Sequence, residues 1–154
     1  MKPRALLPAA ALLAALSFNP GHARGDDDEA AELSEQPAAV QKTAHEQIGT
    51  SKIEEVEPSF EEGQHATEVE YRENGKKMAV VIAKDGTLIQ KETRMSPVEA
   101  PEVIQKAVSA QFSDGKISHI KEVEQKEVKF FEVSVKSGGK SHQLKLDEAG
   151  KPVK

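Results

Sequence analysis

Shifted against itself by 64 residues, the chain matches without a gap. Pro37 falls on Pro101, Gln41-Lys42 on Gln105-Lys106, Lys52-Ile53 on Lys116-Ile117, Glu68-Val69 on Glu132-Val133, Gly75-Lys76 on Gly139-Lys140, and Gly86 on Gly150. Self-similarity at a fixed period is the signature of a supersecondary unit used more than once. It confines the fold to arrangements in which one small unit occurs twice. No set of catalytic side chains recurs with the period, which describes a scaffold that presents a surface.

Each copy opens with a helix signal. Ser34-Glu35-Gln36-Pro37 and Val98-Glu99-Ala100-Pro101 place acids and a proline at the start, where the proline lacks an N–H that would go unsatisfied and the acids oppose the helix dipole. Apolar residues then recur at helical spacing: Val40, Ala44 and Ile48, and again Val103, Ile104, Ala107, Val108 and Phe112. Gly49 and the Ser113-Asp114-Gly115 turn end the two helices.

Four short extended segments follow in each copy. In the first, Ile53 with Val56, and Ile117 with Ile120, stand three apart rather than two, which predicts a bulge. The second alternates cleanly, with Thr67, Val69 and Tyr71 set against Glu68, Glu70 and Arg72, and Phe131, Val133 and Val135 set against Glu132, Ser134 and Lys136. Asn74-Gly75 and Gly138-Gly139 accept the positive φ of a two-residue hairpin loop. A third strand carries Met78, Val80 and Ile82, or His142, Leu144 and Leu146. After turns at Asp85-Gly86 and Ala149-Gly150, a last strand carries Ile89 or Val153. The expected fold is α+β: two tandem α-β-β-β-β repeats over residues 34–93 and 96–154, each a helix packed on an antiparallel sheet with its other face open.

The run Phe131-Glu132-Val133-Ser134-Val135, then Gly138-Gly139-Lys140, then Asp147-Glu148-Ala149-Gly150 resembles the hairpin of PepSY and PepSY-like domains. The first copy follows it as Glu68-Val69-Glu70-Tyr71, Asn74-Gly75-Lys76 and Asp85-Gly86. It departs in having Thr67 at the aromatic position and in placing Asp85 directly before Gly86. A PepSY-like branch is similar in fold to the secreted beta-lactamase inhibitor protein. The resemblance implies a helix packed on an antiparallel sheet, an extracytoplasmic location, and binding or inhibition rather than catalysis.

Residues 1–23 have the anatomy of a secretory leader: Lys2 and Arg4, then an apolar stretch from Leu6 to Phe18, then Gly21-His22-Ala23 as a small-x-small cleavage site. About 13 apolar residues fall short of the roughly 20 a spanning helix needs. Residues 24–33 read as an acidic disordered tether, whose Asp26-Asp27-Asp28-Glu29 run lacks the alternating ligands of a calcium loop. The location expected is periplasmic or secreted. The chain has no cysteine, so a small exported domain must be held by its own core. Its net charge of −5 becomes −7 without Lys2 and Arg4, and is unevenly placed. Residues 24–93 hold 8 basic and 17 acidic groups; residues 94–154 hold 11 and 9. With one Tyr, no Trp and no arginine stripe, the composition argues against nucleic acid as a partner.

The chemistry is sparse. His45, His65, His119 and His142 align under the shift with Ser109, Lys129, Glu55 and Met78, so no ligand set repeats and no metal or cofactor is expected. Glu54-Glu55 and Glu61-Glu62 are adjacent carboxylates, but neighbours on a strand point to opposite faces, and neither a nucleophile motif nor a phosphate loop occurs. The chain does not read as an enzyme. The candidate partner-binding residues lie on the open sheet face: Val81 and Phe130 as apolar anchors, with Glu68, Glu132 and Lys145 around them. The competing reading has the two repeats bury these residues against each other. The partner expected is another extracytoplasmic protein, with a small ligand or metal ion held between helix and sheet as the alternative.

Overall fold

The computed structural model describes residues 32–153. The leader, most of the tether and the Asp26–Glu29 run lie outside the described residues. From residue 38 on, the elements follow in the order α1 (Ala38–Ile48), β1 (Lys52–Glu61), β2 (Gln64–Glu73), β3 (Lys76–Ala83), β4 (Leu88–Met95), a 3-10 turn (Pro97–Glu99), α2 (Glu102–Gln111), β5 (Lys116–Gln125), β6 (Val128–Ser137) and β7 (Lys140–Asp147). The bounds of β1, β2 and β3 recur 64 residues later, end for end, as β5, β6 and β7.

All seven strands form one antiparallel sheet in sequence order. The expectation of two tandem repeats, each with a helix on its own sheet, is therefore corrected. The joint is β4, which pairs with β3 on one side and with β5 on the other. A strand hydrogen-bonded on both sides leaves no row of unpaired amides and carbonyls, whereas two separate sheets would each expose such an edge there. The expected last strand of the second copy, around Val153, is reduced to a single bridge from Leu146 to Pro152. Proline has no N–H to give a ladder.

Both helices lie on the same side of the sheet. Under α1, Val40, Ala44 and Ile48 pack with Leu33, Val56, Val69, Tyr71, Val80 and Ile82. Under α2, Ile104 and Val108 pack with Ile120, Phe131, Val133, Val135 and Leu146. Leu33, at the end of the stretch read as a tether, is thus a core residue. Each fully buried Val, Leu or Ile contributes about 1.5–3 kcal/mol, which is how a chain without disulfides holds together. The predicted bulges are present, with register shifts between Ile53 and Glu55 and between Ile117 and His119. A third lies between Val81 and Ile82, where β4 contributes the extra residue Ile89.

One glycine in each half is fixed by a close approach. A Cβ on Gly86 would stand 2.8 Å from the carbonyl oxygen of Ala39, and one on Gly150 would stand 3.0 Å from that of Val103. Both have positive φ, of 88° and 75°. The turn after the third strand therefore presses against its helix, and Thr43 Oγ1 donates to the Gly86 carbonyl at 2.6 Å.

Candidate functional site

The sheet face away from the helices carries no described element. Pairing defines its rows. One runs through all seven strands as Glu55, Glu70, Ala79, Glu92, Val123, Phe130 and Asp147. Beside it run Glu57, Glu68, Val81 and Gln90 on β1 to β4, and Arg94, Lys121, Glu132 and Lys145 on β4 to β7.

This face is curled. In a flat sheet β2 and β5 stand three spacings apart, roughly 14 Å, yet the tips of the β1–β2 and β5–β6 hairpins meet, with Lys126 Nζ 2.7 Å from Glu62 Oε1. Glu61 accordingly feels Glu132, Lys121 and Lys145 from the far side of the sheet. Short side chains line the floor: Ala66, Val81, Ala83 and Ile89 form a small apolar cluster of their own.

The curl changes what the predicted site residues do. All five, Glu68, Val81, Phe130, Glu132 and Lys145, lie on this face, with Glu68 opposite Val81 and Glu132 opposite Lys145. The two expected anchors do not meet water, however. Val81 is 0% exposed and Phe130 3%. Val81 sits in the floor cluster, and Lys145 Nζ lies 3.8 Å from the centroid of the Phe130 ring. The ammonium is held by the ring's electron-rich face.

Charged groups that strand alternation alone does not single out organise the centre. Lys121 stands 2.7 Å from Glu92 Oε1 and 3.1 Å from Glu132 Oε2, and Gln90 Nε2 donates to Glu92 Oε1 at 2.7 Å. Burial works to lower the Lys121 pKa, but Glu92 and Glu132 outweigh it and hold the ammonium above its ordinary range. Glu70, also buried, pairs with Lys77 and Arg94. Glu68 differs: burial, reinforced by Glu92 and opposed by Lys121, pushes its carboxyl up to about 7. On β1, burial and a hydrogen bond with Glu57 raise Glu55 to about 7. The missing signal was strand order. Glu92 and Lys121 become neighbours only because β4 joins β5.

The histidines are dispersed. The His65 ring is edge-on to Phe60 at 5.4 Å, and the His142 ring lies 4.5 Å from that of Phe112, which places His142 on the helix side. Among the described residues, no group of three or more His, Asp or Glu is arranged to hold a metal ion. A groove of about 760 Å³ opens where the β2–β3 turn meets the end of β4 and the 3-10 turn, lined by Lys76, Lys77, Met78, Arg94, Met95 and Glu99 among others.

No protein-family model matches the sequence, and no curated protein matches it either. Solved structures do. A DUF2874 family protein from Bacteroides uniformis superposes with a TM-score of 0.62 at 19% identity, over 77% of this chain and 86% of that one. A protein from Bacteroides eggerthii, described as a candidate periplasmic protein, superposes equally well, with TM-score 0.62, 19% identity and the same 77% and 86% coverage. A BLIP-like protein from Bacteroides fragilis gives a TM-score of 0.58 at 15% identity, over 77% and 84%. At these identities the likeness is one of fold: this chain has the fold of DUF2874 family and BLIP-like proteins. Among the described residues no helix is long and apolar enough to cross a membrane.

Proposed function

We propose that the chain is a periplasmic or secreted, non-enzymatic binding protein of PepSY-like type, which holds another extracytoplasmic protein on the helix-free face of its sheet and so inhibits a peptidase or another hydrolase. The observation that carries the reading is the face itself: seven strands wide, curled, and free of any described covering element. A sheet with one face on the core and the other open is the usual antiparallel arrangement, but a curled open face also offers a concave seat. The leader-like residues 1–23 and the likeness in fold to a BLIP-like protein and to a candidate periplasmic protein support the location and the binding role.

Because Val81 and Phe130 are buried, their truncation reports on folding. Contact falls to the charged groups above them, Glu132 and Lys145 on β6 and β7 and Glu68 on β2. The test is capture of a partner from periplasmic extract on immobilised protein, with hydrolase activity of the captured protein assayed with and without added chain. The double variant Glu132→Gln with Lys145→Gln removes both charges from this face and leaves Lys121 its contact with Glu92. It should lose capture, while Lys106→Glu on the outer face of α2 should retain it. Equal capture by both variants would rule the face out. A second reading, a small ligand in the groove lined by Met78 and Met95, is favoured by that groove alone. A thermal shift with small amphipathic ligands, lost in Met95→Lys, would support it by mass action.

A further inference from the structure

The edge strand β1 meets its neighbour through two like-charge pairs. Glu55 stands opposite Glu70, and Glu57 opposite Glu68, so four carboxyl groups occupy one square of the helix-free face. Like charges directly opposite each other destabilise a strand pair. Among the described residues, cations pair with only one corner. Lys77 on β3 and Arg94 on β4 both pair with Glu70, while Lys121 on β5 is committed to Glu92 and Glu132. Glu68 faces the apolar Val81 on its other side, and the fields of Glu92 and Glu70 reinforce its burial against those of Lys121 and Arg94. Among the described residues β1 is also an edge, hydrogen-bonded to β2 alone. What holds it besides that ladder is Val56 and Ile53 in the core under α1, the Arg72–Glu54 pair at 2.8 Å, and the Glu62–Lys126 contact at the hairpin tip.

We propose that β1 is a pH-sensitive edge, tight when the carboxyl square carries shared protons and loosened when it is fully ionised. The raised value of Glu55, which burial and then Glu57 and Glu70 push up, supports the direction, and burial raises Glu68 beside it. A carboxyl whose folded pKa lies above its unfolded one binds protons more firmly in the folded strand. The strand's stability is therefore highest at and below the unfolded value near 4.5, and is surrendered as pH rises towards about 7. The region that responds is β1. At the centre of the sheet Glu92 of β4 is instead paired with Lys121 of β5.

Amide hydrogen exchange on the whole chain, corrected for intrinsic rates and taken at about pH 5.5 and about pH 8, tests this. β1 amides should lose roughly tenfold in protection relative to β5 amides across that range, as follows when a carboxyl binds its proton about tenfold more tightly in the paired strand than in the loosened one. The variant Glu57→Gln with Glu68→Gln should abolish the difference. Carbon-13 titration of the Glu68 carboxyl in the unmutated protein supplies a readout independent of any variant, with an apparent pKa well above the ordinary glutamate range expected. A β1 protection that tracks β5 at both pH values, or an ordinary Glu68 titration, would overturn the proposal. Exchange and titration are read on the isolated chain, so their failure is distinguishable from a failure of partner capture, which is tested at Glu132 and Lys145.

Discussion

The two halves of the sheet agree on one side and disagree on the other. Towards the helices, residues 64 apart are both apolar: Val40 and Ile104, Ala44 and Val108, Val56 and Ile120, Val69 and Val133, Tyr71 and Val135, Ile82 and Leu146. Towards the helix-free face the same offset pairs Glu57 with Lys121, Ala66 with Phe130, Glu70 with Ser134 and Val81 with Lys145. The difference is sharpest at one register position. Glu57 opposite Glu68 is repulsive, whereas its counterpart, Lys121 opposite Glu132, is an ion pair of 3.1 Å. Position explains the choice: β5 lies inside the sheet, where unpaired charge is costly, while β1 is an edge open to water on one side. Core packing tolerates little change in volume or polarity, and a solvent-side charge tolerates much.

Removing the cation from the second half is the severest way to break this comparison. Lys121→Ala would leave Glu92, 2% exposed, without its ammonium. Deleting one partner of a buried pair costs about 3–5 kcal/mol, because the remaining charge is stranded. Urea unfolding should show a loss of that order, part of it recovered by Glu92→Gln in the same chain. If Lys121→Ala is neutral, the centre of the face is wetter than its burial implies.

The turn glycines test where the halves agree. Gly86→Ala and Gly150→Ala both place a methyl against a helix carbonyl at positive φ, so each should cost about 2 kcal/mol by thermal unfolding. Gly86 should be the worse, since its contact is with Ala39 backbone at 2.8 Å and its carbonyl holds Thr43. Gly150, with no such hydroxyl contact, has more room to shift. Equal losses would mean that the turn conformation alone sets the cost.

The elements and their inner faces were legible in the sequence because helix spacing, strand alternation and glycine turns are local signals. Two of the three bulges showed as well, in the three-residue steps from Ile53 to Val56 and from Ile117 to Ile120, while the one at Ile89 did not. What was not legible is non-local. Alternation puts Phe130 and Val81 on the outer face, which is correct, but only the curl of a single sheet removes them from water. The join of β4 to β5 left no mark in the strand pattern, since any edge strand would alternate in the same way. The isolated Pro152 bridge likewise reads locally as a strand after a turn. Glu92 and Lys121 therefore passed unnoticed: a buried ion pair is a property of two strands, and neither strand alone announces it.

The smallest expected effect is also the most pointed, because it would make the first half resemble the second. Glu57→Lys converts the repulsive position opposite Glu68 into the arrangement of Lys121 and Glu132. Position 57 is exposed and Glu68 half-buried, and cross-strand pairs of opposite charge contribute about 0.2–1 kcal/mol. A gain of about 1 kcal/mol at neutral pH should appear in urea unfolding, since repulsion is relieved and attraction added together. The gain should shrink as the solution is acidified and Glu68 takes up its proton, for a neutral carboxyl gives the new ammonium nothing to pair with. Raising salt should reduce it as well, since the pair is open to solvent on one side. If Glu57→Lys instead destabilises the chain equally at acid and neutral pH, the carboxyl square is held together by the Glu55–Glu57 hydrogen bond rather than strained by charge. The contrast between the two halves would then be one of hydrogen bonding and not of repulsion.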